Sequence, residues 1–438
     1  MKHIYTYIFC TLWCFSSSSI LLAQDSWEAF VTDFQAQYQG RDIAPLQLSY
    51  VTNLEAIPDS QELHKQQAFC VQSLDRLQSF SSAQLSPQQQ LEHALLSYQL
   101  PLFQERLQLE MQWARAKPKK ISEKGLATVP LGKAFYALFL KRWLDEEVTP
   151  DALFQFGLAE IQRIKRRMKA IQEASGMDSL AFDAYLNEDH FFYPDVATTQ
   201  AALEAYAASI QERIPLYFPH TAEIPPLQIA QGIDKRLAQV PGFYRNNTFF
   251  YNFFDKPFNK RQVGWLYLHE GIPGHHYEVN HRNLVSQSTL QSLFYSAGYA
   301  EGWAAYIEDL ALEMGVYRDV YDEYGKWEWD IIRSVRVPLD VGINYYGWTD
   351  AECLAFWQQY IQGQDDIARR EIARMRRWPC QVITYKYGTR KILDWKQAWE
   401  QQADFSLLAF HTALLAHGPL PFSILEDIIR PHDHLSQK

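Results

Sequence analysis

The apolar run Trp265-Leu266-Tyr267-Leu268 leads straight into His269-Glu270-Gly271-Ile272-Pro273-Gly274-His275-His276, and this octet sets the tightest limit on how the chain can fold. A His-Glu pair at the end of an apolar run begins the H-E-x-x-H device. In that device two histidines four apart on one helix face reach one ion, and the Glu between them acts on water. Here position 273 is proline, and the next histidines are His275 and His276. On an unbroken helix residue 275 lies well off the face of residue 269. Residue 276 returns to that face, but roughly 10 Å farther along the axis at 1.5 Å per residue. Proline removes a backbone donor and glycine reaches unusual dihedrals, so Pro273-Gly274 predicts a bulge or break that folds the second histidine back. His275 is the preferred ligand and His276 the alternative.

A hydrolytic zinc ion takes three protein ligands and keeps one position open for water. The third ligand is expected from Glu301-Gly302-Trp303-Ala304-Ala305-Tyr306-Ile307-Glu308, far enough beyond His276 for a loop and a returning helix. Glu301 and Glu308 are seven apart and share a helix face, so one can coordinate while the other orients a histidine. Glu301 sits among Ala297, Ala300, Trp303 and Ala304, a setting in which a lone carboxylate is costly unless a cation pairs with it. Glu270 is the expected general base. A chain that merely binds peptides has no need of it, which counts against a degenerate, non-catalytic protein.

Most of the rest reads as helix. Gln61 to Gln99, Leu102 to Lys117, Asp151 to Ser175 and Thr198 to Arg213 carry apolar residues at helical spacing. Between Tyr217 and Lys260 the texture changes to prolines and the aromatic run 248–254, which predicts loops with one or two strands. The expected fold is mainly α, with a small antiparallel sheet beside the metal helix and a deep channel. Residues 1–23 read as a cleavable signal peptide, 24–215 as an N-terminal helical region and 216–438 as the metal-site region, the last two forming one unit. Cys10 and Cys14 each follow a bulky aromatic, unlike a lipid-acceptor cysteine. The mature chain is thus expected to be secreted or periplasmic, without stable membrane insertion. Its aromatic content of 15% suits an aromatic-lined interior, and a net charge of −10 argues against a nucleic-acid partner. The remaining cysteines, Cys70, Cys353 and Cys380, form no disulfide framework or C-x-x-C site. No G-x-S-x-G elbow, P-loop or dinucleotide fingerprint is present.

HEGIPGHH, EGWAAYIEDL, CQVITYKYG and FHTALLAHGPLP together resemble the bacterial DUF885 family, from about residue 185 to the C-terminus. Those proteins look like distant relatives of the helical gluzincins, such as the thermostable carboxypeptidases and thimet-type oligopeptidases. EGWA is similar to the EGFA-type segment that carries the third zinc ligand in the aminopeptidase N group, which favours Glu301 over Glu308. The resemblance implies a zinc-dependent hydrolase of short peptides. A metal-dependent amidase or esterase acting on a metabolite or cell-wall fragment is the alternative. Two departures stand out: the N-terminal helical part is shortened, and where the family pattern reads D-x-G-I-H this chain has Asp340-Val341-Gly342-Ile343-Asn344. Within the matched segments Tyr385 is the expected oxyanion donor and Tyr387 its alternate. Arg333, Arg336 and Arg377 are candidates for holding a substrate carboxylate, and His411 is a further candidate beside them.

Overall fold

Side-chain caps decide where many of the helices begin. Ser26, Ser49, Asp59, Thr149, Asp178, Asp195, Asp319, Thr349 and Ser406 each accept a backbone N–H from the first turn that follows. The computed structural model describes residues 26–430, apart from 42, 117, 146, 238, 239, 255, 256, 286 and 295, so the expected signal peptide lies outside the described residues. The first half contains helices α1 (Trp27–Gly40), α2 (Tyr50–Glu55), α3 (Ser60–Gln78), α4 (Pro87–Ala116), α5 (Gly132–Trp143), α6 (Pro150–Ala174), α7 (Ser179–Leu186) and α8 (Val196–Ile210). The second half contains α9 (Val263–Glu270), α10 (His275–Arg282), α11 (Thr289–Leu293), α12 (Ala297–Met314), α13 (Val320–Val341), α14 (Asp350–Gln358), α15 (Asp365–Arg377), α16 (Thr384–Trp399), α17 (Leu407–Leu415) and α18 (Phe422–Ile429).

The helix expected over Gln61 to Gln99 is two helices. The chain turns after Gln78, and α4 restarts with Pro87 in its first turn, where a missing N–H is harmless. Helix α4 then continues through Pro101, which normally forfeits a hydrogen bond. Leu95, Leu96, Leu100 and Leu107 are buried on both sides of that proline, so packing holds the helix through it.

Five short strands lie where the helical texture lapses: β1 (Phe192–Tyr193), β2 (Gln228–Gly232), β3 (Gly242–Arg245), β4 (Thr248–Asn252) and β5 (Phe258–Asn259). β1 and β5 pair antiparallel, as do β3 and β4. The β3–β4 turn is Asn246-Asn247, both left-handed at φ 51 and 58, a conformation asparagine tolerates in tight hairpins. The small antiparallel sheet expected is thus present, and β2 adds a parallel strand beside β4, which makes the three-stranded sheet mixed. The hairpin places β4 between β2 and β3, so β2 neighbours the strand that runs in its own direction. The sheet lies against α9: a side chain added at Gly242 would meet Leu266, and the Phe249 and Tyr267 rings are 6.5 Å apart.

The core forms two apolar clusters, and each takes side chains from both sides of residue 215. α6 lies along α13 so closely that a Cβ on Gly157 would meet Pro338 at 2.5 Å. A buried charge network joins the same helices. Lys386 on α16 pairs with Glu160 on α6 and Asp330 on α13, each at 2.8 Å. Lys326 on α13 pairs with Asp330 at 3.0 Å and with Asp309 on α12. No helix of the described residues is long and apolar enough to cross a membrane.

Candidate metal centre

Three helices deliver one donor atom each. His269 lies in the last turn of α9, His275 opens α10, and Glu301 lies in the second turn of α12. The chain between the first two turns through Gly271 to Gly274. A Cβ on Gly274 would sit 2.1 Å from the His269 carbonyl oxygen and 2.2 Å from that of Leu268, so only glycine lets α10 start this close to the end of α9. The indole N–H of Trp303, in the EGWA segment, donates to the Pro273 carbonyl at 2.9 Å and holds the turn from α12. The imidazole centroids of His269 and His275 are thereby 4.8 Å apart.

The donor atoms of His269, His275 and Glu301 all lie within 4.8 Å of one another. Glu301 Oε2 is 3.4 Å from His275 Nε2 and 3.7 Å from His269 Nε2, and it is buried without a hydrogen-bond partner. These separations match ligands around one ion better than hydrogen bonds. Ligands at 2.0–2.1 Å in a tetrahedron stand roughly 3.3–3.4 Å apart. Two imidazoles and a carboxylate also suit zinc by donor chemistry.

The neighbouring groups fix this arrangement. His269 Nδ1–H donates to Glu308 Oε1 at 2.7 Å, which leaves Nε2 facing Glu301 and His275. Arg333 Nη1 donates to both Glu308 oxygens, at 2.7 and 2.6 Å, and Glu308 is fully buried. Burial works against a charged His269, but Glu301 and Glu308 outweigh it and raise its pKa to about 9. Burial likewise works against a charged Glu301, and His269 and His275 hold its carboxyl well below the usual range. The site therefore favours a cation between these groups.

Tyr385, on α16, donates its hydroxyl to Glu301 Oε1 at 3.1 Å. It reaches that far because α12 and α16 touch backbone to backbone: a Cβ on Gly302 would meet the Gly388 Cα at 2.5 Å. Burial first, and then Glu301, raise the Tyr385 pKa against the pull of Arg374 and Arg336, so the hydroxyl stays protonated. Glu270 is buried beside His269 and adds its negative charge to the field there.

The other expected residues lie elsewhere. His276 faces away from the cluster: Nε2–H donates to the Pro225 carbonyl at 2.7 Å, and Nδ1 is 3.3 Å from the Tyr244 hydroxyl. Arg333 is committed to Glu308. Arg336 pairs with Glu371 at 3.1 Å while its guanidinium covers the Tyr385 ring. Arg377 is exposed and rests on Trp378. Tyr387 packs on Phe422, with ring centroids 5.5 Å apart. His411 is buried, stacks on Phe218, donates to the Tyr217 carbonyl at 2.7 Å and accepts from Tyr306 at 2.9 Å; burial drives its pKa down to about 3. Asn344 is buried too, bound to the backbone of Leu126 and Met375 at 3.1 Å each.

A cavity of about 580 Å³ opens beside His275 and Glu301, with Tyr244, Glu278, Ala300 and Leu293 among its walls. Larger hollows, of about 1190, 1070 and 620 Å³, touch none of the three donors. Tyr244 and Glu278 did not emerge from the sequence as site residues. Glu278 had a signal, since it follows His275 by three positions and shares its helix face once α10 restarts there. Tyr244 had none, because only the β3–β4 hairpin brings it to α10.

Among the solved structures that share the fold are two described as lipoproteins. One is described as "the putative lipoprotein from Colwellia psychrerythraea", with a TM-score of 0.63 and 23% identity, covering 92% of this chain and 73% of that one. The other is "a putative lipoprotein of unknown function from Shewanella oneidensis", with a TM-score of 0.70 and 15% identity, covering 92% of this chain and 100% of that one. No curated protein matches the chain in sequence. The family model described as "Bacterial protein of unknown function (DUF885)" matches residues 104–429, the stretch that holds every residue of the candidate metal centre, and the chain belongs to that family.

Proposed function

We propose that the protein is an exported zinc-dependent peptidase of short peptides. The observation that carries this reading is the convergence of His269, His275 and Glu301 within 4.8 Å, with a buried Glu301 oxygen that no hydrogen bond satisfies. A zinc ion held there supplies Lewis-acid chemistry, polarising the carbonyl and acidifying water. Glu270 takes the proton of the attacking water and passes it to the leaving amine. The Tyr385 hydroxyl donates to the carbonyl oxygen as it gains charge. Glu308, anchored by Arg333, keeps the His269 ring in one tautomer and one orientation. A cavity of about 580 Å³ admits a few residues of an extended peptide and suits short substrates. An extracytoplasmic location is supported by the apolar leader and by the lipoprotein descriptions of the two structural neighbours.

The test combines metal content with turnover. Protein purified without a metal-affinity tag should hold one zinc per chain by elemental analysis. It should cleave members of a peptide library read by mass spectrometry. Glu270→Gln should keep the zinc and lose about 10²- to 10⁴-fold in kcat, the usual worth of a general acid–base. A chain that neither holds nor takes up zinc would end the proposal, and so would full activity in Glu270→Gln.

A further inference from the structure

We infer that Glu278 binds the free α-ammonium group of the substrate, so that the enzyme removes the first residue of a peptide. This rests on the peptidase reading above. Glu278 lines the same cavity as His275 and Glu301. It is 2% exposed, and its Oε2 has no hydrogen-bond partner. The other acids of the site have different roles: Glu301 accepts from Tyr385 on Oε1 and turns Oε2 to the two histidines, and Glu308 is held by His269 and Arg333. Glu301 Oε2 is unpartnered as well, but it belongs to the donor cluster with His269 and His275, whereas Glu278 Oε2 is buried and unmatched outside that cluster, and such burial is costly without a partner.

The groups facing Glu278 define what it lacks. Burial raises its pKa, and Arg282, one turn along α10, and His275 pull it down less than burial pushes it up. A ligand that brings a positive charge with several N–H donors would compensate it, and an ammonium has three.

Geometry then sets the register. His275 and Glu278 are three apart on one helix, which places their Cβ atoms roughly 5–6 Å apart. In an amino acid the α-nitrogen lies about 2.5 Å from its own carbonyl carbon, given the standard bond lengths and angle. A carbonyl held beside His275 therefore puts the amine of that same residue within reach of Glu278. A lysine side chain there would carry its ammonium several ångströms beyond. The chemistry selects an α-amine, and the scissile bond is the first. Leu46, Leu48, Trp143 and Leu293 also line the cavity, together with Arg142, and suit an apolar first side chain.

Two measurements test this. In the first, zinc-loaded enzyme is given a cleaved peptide and its N-acetylated twin. Acetylation should lower kcat/KM at least tenfold. Glu278→Gln should lower it at least tenfold for the free amine, mainly through KM, while leaving the acetylated twin unchanged. Glu278→Ala should repeat the pattern, and the melting temperature of Glu278→Gln should not fall below that of the wild type. Equal cleavage of the twins overturns the assignment, and so does an equal loss on both in the variant. In the second, L-phenylalaninol and N-acetyl-L-phenylalaninol, which contain no peptide bond to cut, are titrated calorimetrically. The free amine should bind at least tenfold more tightly, and Glu278→Gln should abolish the difference. Selective amine binding without cleavage of any peptide would keep the subsite and discard the peptidase reading. Equal binding of the two alcohols would overturn the subsite itself.

Discussion

Tyr385 is held by opposing influences. Its hydroxyl points at Glu301, whose charge and whose buried surroundings oppose ionisation, while the guanidinium groups of Arg374 and Arg336 favour it. The outcome is a raised pKa, so the group is a hydrogen-bond donor across the neutral range. Tyr385→Phe should therefore keep its zinc and lose about 10²- to 10³-fold in kcat, with KM nearly unchanged, as when one oxyanion donor is removed elsewhere. Steady-state kinetics beside elemental analysis checks this. An unchanged kcat would remove the donor role, and lost zinc would show that the hydroxyl matters for holding Glu301. At this scale the sequence was informative about which residue types would meet, and silent about which charges would pair off. Arg333 reads as a candidate clamp for a substrate carboxylate because nothing in the chain announces that its Nη1 already donates to both oxygens of Glu308. His411 gives the same lesson: Tyr217 and Tyr306, distant in sequence, satisfy both ring nitrogens.

The elements that carry the site depend on glycines that permit close backbone contact. The interruption between His269 and His275 was legible, because Pro273-Gly274 cannot continue a helix and the histidine spacing demands a fold-back. The division of Gln61–Gln99 into α3 and α4, and the parallel pairing of β2 with β4, were not legible. Helical periodicity does not report a short interruption among polar residues, and strand direction depends on the path of a crossover. Gly274→Ala tests the contact that matters most for the metal. The new Cβ would meet backbone carbonyl oxygens at 2.1 and 2.2 Å, and backbone cannot swing aside as a side chain would. α10 must shift and take His275 with it. Overpacking of this kind destabilises by about 1–3 kcal/mol. Zinc affinity should fall by about 10- to 100-fold, as when the support of a ligand is disturbed. Competition with a chelator of known affinity measures it, while circular dichroism confirms that the helices persist. An unaltered zinc affinity would mean that the fold-back does not position His275.

For the whole molecule, the segment that departs from the family pattern lies at a junction between distant parts of the chain. Asp340, on α13, accepts from the Tyr136 hydroxyl of α5 at 2.8 Å and from the Cys380 N–H before α16 at 3.1 Å. Burial raises its pKa to about 7 from an ordinary 3.8, although Tyr136, Cys380, Asn344 and Arg336 all pull the other way. The folded chain thus keeps a proton that the unfolded chain releases near pH 4. The stability this proton contributes is complete below pH 4, declines between pH 4 and 7, and is absent above that window. The gap corresponds to at most about 4 kcal/mol. Buried histidines work in the opposite sense: His411 and His281, with pKa values lowered by burial to about 3 and about 4, add stability as pH rises towards 6.5. The raw melting curve mixes these trends, so the informative quantity is the difference between wild type and Asp340→Asn. Asparagine keeps an acceptor for the Cys380 N–H and offers the Tyr136 oxygen a donor, without a charge to bury. The variant should melt within a degree or so of wild type at pH 4 and several degrees above it at pH 8, given the few degrees per kcal/mol expected of large domains. A difference that stays flat across this range would show that Asp340 does not titrate there. A variant less stable at pH 8 would show that the carboxylate is held there in its charged form.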